Sequence, residues 1–206
     1  MKSVLISIQP RWCHKIIDGE KTIEVRKSKP KLDTPFKVYI YCSAGSYEWN
    51  RDPWTTAYFT PTGECTNMSQ TVIGEFWCDE VYTYIADDFV GAENADGTIR
   101  MEPIDGDFAY WIPNEKGTCM EYDEILKYGN GKTLYGWHIS DLKIYDNPKE
   151  LNEFFRECEK QTCEDCPHLY IENTPSCYET WCEVDEKIPI MRPPQSWCYV
   201  EELRND

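Results

Sequence analysis

The chain has no apolar run approaching the ~18 residues that a membrane-spanning helix needs. Its opening, MKSVLISIQP, carries too short an apolar stretch for a secretory signal. A cytoplasmic protein with no membrane partner is therefore expected. There is no internal repeat. Positive charge is scarce: 21 Lys and Arg stand against 37 Asp and Glu, a net charge of -16. Such a molecule repels polyphosphate overall, which argues against non-specific nucleic-acid binding. Apolar and aromatic residues are plentiful, at 41% and 14%. The 206 residues suffice for one domain with insertions and a sizeable core.

The acidity is uneven. Residues 1–43 hold nine Lys and Arg against four Asp and Glu, so an anion can still be held locally. Within this basic segment lies GEKTIEVRK (19–27), where Ile23 and Val25 alternate with Thr22, Glu24 and Arg26. That is the period-2 pattern of a strand. Glu24 and Arg26 then share one face, about 6–7 Å apart along the chain. A charged strand of this kind is either a solvated sheet edge that discourages aggregation or the wall of a site.

The flanking segments read as short strands with few helices. SVLISI (3–8) is a strand, and Pro10 opens a helix with Trp12, Cys13, Ile16 and Ile17 on its apolar face, ended by Gly19. KVYIYCS (37–43) and TVIGEFWCDEVYTYI (71–85) follow as strands, then a short helix ended near Gly129, then TLYGWHISDLKIYD (133–146) as one strand. Asn147-Pro148-Lys149-Glu150 has the form of a helix start. Leu151, Phe154, Phe155 and Cys158 supply an i, i+3, i+4, i+7 face for that helix. QSWCYVEEL (195–203) is a last strand. The pattern predicts an α+β, mainly β, fold: a small β-barrel decorated by helices in a single domain over 1–206.

Five of the eleven cysteines crowd into a Cys-rich insertion over 158–190: Cys158, Cys163, Cys166, Cys177 and Cys182. Cys163-x2-Cys166 has zinc-knuckle spacing, and Cys177-x4-Cys182 supplies a second pair for a closed structural zinc site. Cys158 and His168 are alternative ligands. Little apolar content surrounds them, so a metal would provide the folding energy the segment's own core cannot. Buried free thiols, disulfides and an iron–sulfur spacing are the other readings. Cys13, Cys42, Cys78 and Cys198 fall in predicted helix or strands and read as core thiols. No organic cofactor is expected.

Taken together, VLISIQPRWCHKIIDGEKTIEVRK, KVYIYCS, VIGEFWCDEV and YGWHISDLKIYD resemble, in order, the segments of the ASCH family, a branch of the PUA-like superfamily. Gly19, Lys21, Glu24 and Arg26 match its GxKxxExR motif. RPPQSWCYVEEL resembles the closing strand of a subgroup carried by phages and prophages of low-GC Gram-positive bacteria. The resemblance covers about half of the chain. It implies a small PUA-like (ASCH) β-barrel with a cleft beside the motif that binds RNA or a nucleoside.

On this reading Arg26 presents a planar fork to a carbonyl or phosphate. Lys21, if desolvated, has a lowered pKa and serves as base or activator, and Glu24 pairs with either cation. Lys21 and Glu24 are then the catalytic candidates. Tyr41 and Ser43 end the next strand and are placed at the cleft. Trp137 stacks on a base or packs in the core. His138 alternates with Trp137 and is expected to be hydrogen-bonded. Arg11 and Lys15, at i and i+4 on the first helix, either meet phosphates or form a solvated helix face.

One family branch resembles amidohydrolases of N4-acetylcytidine, which use a Lys, a Thr three residues on, and a distant Glu. Here Glu24 stands at the Thr position, Thr22 is shifted by two, and Glu121 lies in the region of the distant Glu. Binding of RNA or a nucleotide- or nucleoside-like ligand is the leading expectation. The alternatives are a hydrolase on a modified nucleoside or a ribonuclease, and an acidic protein-interaction module with a protein partner on its negative surface.

Overall fold

KSVLISI and FKVYIYC are rich in β-branched and aromatic residues on both faces, which suits strands covered on both sides. They form the centre of the largest sheet. The computed structural model describes residues 2–45, 55–84, 86–87, 89–93, 99–103, 109–110, 115–157, 169–174, 177–182 and 187–203. In order, the elements begin with β1 (Lys2–Ile8), α1 (Pro10–Ile17), β2 (Ile23–Arg26), β3 (Phe36–Cys42), β4 (Ala57–Phe59), β5 (Cys65–Asn67), β6 (Val72–Cys78) and β7 (Val81–Tyr84). Four short strands follow, β8 (Ala86–Asp87), β9 (Phe89–Glu93), β10 (Ile99–Pro103) and β11 (Ala109–Tyr110), then α2 (Glu115–Thr118) and α3 (Tyr122–Gly129). The chain continues with β12 (Leu134–His138), β13 (Ser140–Lys149), β14 (Phe155–Glu157), β15 (Leu169–Thr174), β16 (Cys177–Cys182), β17 (Lys187–Pro189) and β18 (Trp197–Glu201). The fold is mainly β with a few helices, as expected.

The large sheet has the order β13-β6-β3-β1-β18, with β1 and β3 parallel and the other neighbours antiparallel. A second sheet, β2-β12-β7, is antiparallel throughout. Between them lies the main core, which joins Ile6, Val38 and Phe76 to Trp137 and Ile139 and is covered by Cys13 and Ile16 of α1. The other face of the large sheet packs Tyr39, Tyr41 and Val72 against Phe154 and Ile190. Alternation along β3 thus sends Ile40 and Cys42 inward and Tyr39 and Tyr41 to the opposite side.

Two segments that read as single strands are each divided. Residues 71–85 break at Asp79–Glu80 into β6 and β7, and 133–146 break at Ile139 into β12 and β13. Each division carries the chain from one sheet to the other, the barrel-like turn of the fold. The bends hold each other: His138 Nδ1 lies 2.7 Å from Asp79 Oδ1, and His138 N donates to the Glu80 carbonyl at 3.0 Å. Gly136 is required in β12 because a Cβ there would meet the Tyr84 hydroxyl and ring.

The helix expected after Asn147 does not form. β13 runs on to Lys149, a single 3-10 turn covers Leu151–Glu153, and β14 pairs with β17. The apolar spacing misled because Phe154 is buried edge-on to Tyr39 at 5.0 Å with Leu151 packed beside that core, while Phe155 is 38% exposed. Among the described residues, no helix is long and apolar enough to cross a membrane.

Candidate functional site

Pro10 begins α1 with its φ already fixed, and Gly19 ends it in the left-handed conformation at φ 73°. That stop turns the chain directly into the charged motif. Lys21 N donates to the Lys15 carbonyl and Thr22 N to the Gly117 carbonyl, each at 2.9 Å, which locks the entry to β2 between α1 and α2. Beyond this point Ile23 and Val25 enter the interior, and Glu24 and Arg26 occupy the opposite face.

That face is not solvated. Lys21, Glu24 and Arg26 are 2%, 5% and 8% exposed, so the charged face of β2 is covered although β2 is the edge of its sheet. Glu24 sits between the two cations, with Oε1 2.9 Å from Arg26 Nη2 and Oε2 3.5 Å from Lys21 Nζ. Lys21 Nζ donates to the Thr118 carbonyl at 2.6 Å and lies 4.9 Å from the centre of the Trp12 ring. Arg26 reaches across to β1, donating to the Ser7 carbonyl. Burial holds the Lys21 amine below its ordinary value; Glu24 opposes the shift and Arg26 adds to it. Burial also pushes the Tyr128 hydroxyl up, opposed by the nearby charge of Arg26. Two hydrogen-bonding capacities stay unused: Glu24 Oε2 has only its ion pair, and Arg26 Nε has no partner.

These residues form the floor of a cleft of about 1030 Å³. Gln9, Arg11 and Trp12 of the α1 region make one wall, and Met120, Glu124, Lys127 and Tyr128 of the α3 region make another. Pro193–Ser196 face them beside Ser7, Ile8 and Ser43. Five cations (Arg11, Lys21, Arg26, Lys27, Lys127) and two carboxylates (Glu24, Glu124) line the space. A protein of net charge -16 thus keeps a locally cationic cleft. Arg11 bridges to Glu124 at 3.5 Å and stacks its guanidinium 4.3 Å from the Trp12 ring centre.

The expected site residues divide. Lys21, Glu24, Arg26 and Ser43 come together in the cleft, with Ser43 Oγ donating to the Ile8 carbonyl at 3.2 Å. Tyr41 lies in the core on the far face of the large sheet. Trp137 is 0% exposed, packed edge-on against Phe36 and Trp197, and offers no ring face to a ligand. Strand alternation sends its indole inward and leaves His138 to pair with Asp79. Lys15 pairs with Glu20 at 2.6 Å, and Glu121 caps α3. Cys158, Cys163, Cys166 and His168 lie outside the described residues. Cys177 and Cys182 are the first and last residues of β16, and the description does not extend to their side chains. Among the described residues, no group of three or more His, Cys, Asp or Glu is placed to hold a metal. Cys13, Cys42 and Cys78 are buried, Cys198 is half-buried, and none of the four is in a disulfide.

Sequence reading missed Trp12 as a cleft residue, because its spacing equally fits the buried face of α1. It also missed the α3 wall. Helical periodicity marked α3 but gave no sign of what it would face.

The architecture is therefore a mainly β fold with a cationic cleft beside a buried Lys–Glu–Arg cluster. No sequence-family model and no curated protein matches the chain. Similar solved structures are ASCH from Zymomonas mobilis (16% identity, 73% of this chain and 75% of that one, TM-score 0.43) and two mutant forms of ZmASCH from that organism. One mutant form is 15% identical over 74% and 78% of the two chains at a TM-score of 0.44. The other is 13% identical over 97% and 89% at 0.46.

Proposed function

We propose that the cleft binds RNA or a nucleotide-like ligand, as the ASCH resemblance of the motif implies. The observation that carries this reading is the cluster on the floor: two buried cations share one buried carboxylate, which leaves a positive charge without a protein counterpart. Burying charge is expensive unless it is paired, so an anion entering the cleft completes what Glu24 leaves undone. Arg11, Lys27 and Lys127 on the walls would meet phosphate, and Trp12 supplies a ring beside them. Glu24 Oε2, with its unused capacity, suits the N–H of a base.

Titration with a panel of nucleoside monophosphates and short RNAs tests this. Binding that weakens as salt rises, and roughly tenfold or more weaker in Arg26→Gln, is expected. Affinity that is flat in salt and unmoved by Arg26→Gln would sink the reading. Arg26→Gln is preferred to Ala because it retains a polar partner for Glu24.

The lowered Lys21 pKa favours a second reading, hydrolysis of a modified nucleoside with Lys21 as base. Glu24 at the nucleophile's position leaves water as the attacking group. Adding N4-acylated cytidines to the same panel decides it. Turnover lost in Lys21→Ala supports chemistry, and binding without turnover restricts the site to recognition.

A further inference from the structure

The cleft opens at Lys27 and Ser28 onto the turn that joins β2 to β3, whose sequence is RKSKPKL. Lys27, Ser28, Lys29 and Lys31 are all exposed. A run of lysines is ordinarily just solvated, but here each is seated on an aromatic ring or tied to one. Lys27 Nζ lies 4.8 Å from the centre of the Tyr128 ring, and Lys29 Nζ lies 5.5 Å from that of Tyr135. Ser28 Oγ accepts a hydrogen bond from Trp197 Nε1 at 3.0 Å, and Lys31 N donates to the Tyr199 hydroxyl at 2.7 Å. Lys2 Nζ joins them 4.2 Å from the Tyr199 ring centre. All four rings are half-buried. Of the carboxylates along this edge, Glu201 is engaged by Lys187 at 2.9 Å and Glu202 by Lys37 at 3.0 Å; Asp33 follows the turn.

Lysines alternating with fixed aromatic rings are the recognition chemistry of single-stranded nucleic acid. Phosphates meet the ammonium groups and unpaired bases meet ring faces, whereas a duplex hides its faces in its own stack. Trp197 and Tyr199 are already held by hydrogen bonds to the turn, which lowers the entropy lost when a base stacks on them. We propose that the turn is a second binding surface, a track along which a single strand of RNA continues from the cleft over Lys27, Lys29, Lys31 and Lys2. The inference rests on the cleft reading above and deepens it: the ligand is an oligonucleotide, with one nucleotide in the cleft and its neighbours on the track.

The test compares a nucleoside monophosphate with homopolymeric single-stranded RNAs of increasing length, up to eight nucleotides. It uses the full chain and a variant carrying Lys2→Gln, Lys29→Gln and Lys31→Gln, none of which lines the cleft. Affinity should rise about tenfold or more from monophosphate to octamer in the native chain. The variant should lose most of that rise yet bind the monophosphate as before, which also certifies its fold. Its salt slope for the octamer should fall by about two, at ~0.7 per phosphate contact on a single strand. An octamer that binds no tighter than the monophosphate, or a variant with an unchanged slope, overturns the track while leaving the cleft reading intact. If neither probe binds, both fall together.

Discussion

Lys21 is a cation placed where cations are least comfortable: 2% exposed, beside a second buried cation, with one shared carboxylate and one carbonyl for company. Burial lowers its pKa from the usual 10.5. Between that lowered value and 10.5 the unfolded chain binds a proton that the folded chain has released. The contribution of Lys21 to stability therefore rises with pH through the window and is flat below it. Denaturant titrations of the native chain and of Lys21→Met from neutral pH to about 10.5 should show the difference moving in favour of the native chain as pH rises. A flat or falling difference would mean that the amine is not held down. Removing Glu24 is a different matter, because it leaves two buried cations facing each other. Breaking such a group by taking one partner costs about 3–5 kcal/mol, so Glu24→Ala tests folding before it tests function.

The elements that sequence made plain are those whose information is local. The strand 3–8, the helix opened by Pro10 and stopped by Gly19, and the alternation of Ile23 and Val25 all reappear within a residue or two. What was hidden depends on distant partners. Nothing in VIGEFWCDEVYTYI announces a bend at Asp79, because the bend is held by His138, some sixty residues on. Trp137 leaves open a choice of face, and Tyr41 is expected at the cleft yet lies in the core, because the packing of the neighbouring elements decides both. The site was legible to the same degree: its floor is written in GEKTIEVRK, while the α3 wall required the tertiary fold.

At this scale the Cys-rich insertion carries a proposal of its own. Two-stranded ribbons such as β14–β17 and β15–β16 are marginal by themselves in water. A structural zinc on Cys163, Cys166, Cys177 and Cys182 would supply what they lack. Metal analysis of purified protein should return about one zinc per chain, and chelation should lower the melting temperature. Less than about half an equivalent would count against the site.

For the whole molecule, charge is the organising quantity. A net charge of -16 makes the folded state repel itself, while the cleft and its adjoining turn collect cations. Added salt should therefore act in opposite directions on two properties of one protein. Thermal stability should rise between low and moderate salt as self-repulsion is screened, and affinity for an anionic ligand should fall. Melting curves and binding isotherms measured over the same salt series check both. A melting temperature that falls with salt would show that local ion pairs outweigh the net charge.

The pairing of β1 with β18 has a consequence in time. Ser7 Oγ donates to the Pro194 carbonyl at 2.7 Å, and Ser7 N donates to the Ser196 carbonyl at 2.9 Å. One edge of the cleft is thus joined by residues 187 positions apart in the chain. At ribosomal rates of about 5–20 residues per second, the first strand waits roughly 10–40 s for its neighbour. Throughout that interval a nascent chain displays the motif without the wall that faces it. The cleft is closed long after its floor is made, and a chain interrupted before residue 193 carries every residue of GEKTIEVRK with no finished cleft around them.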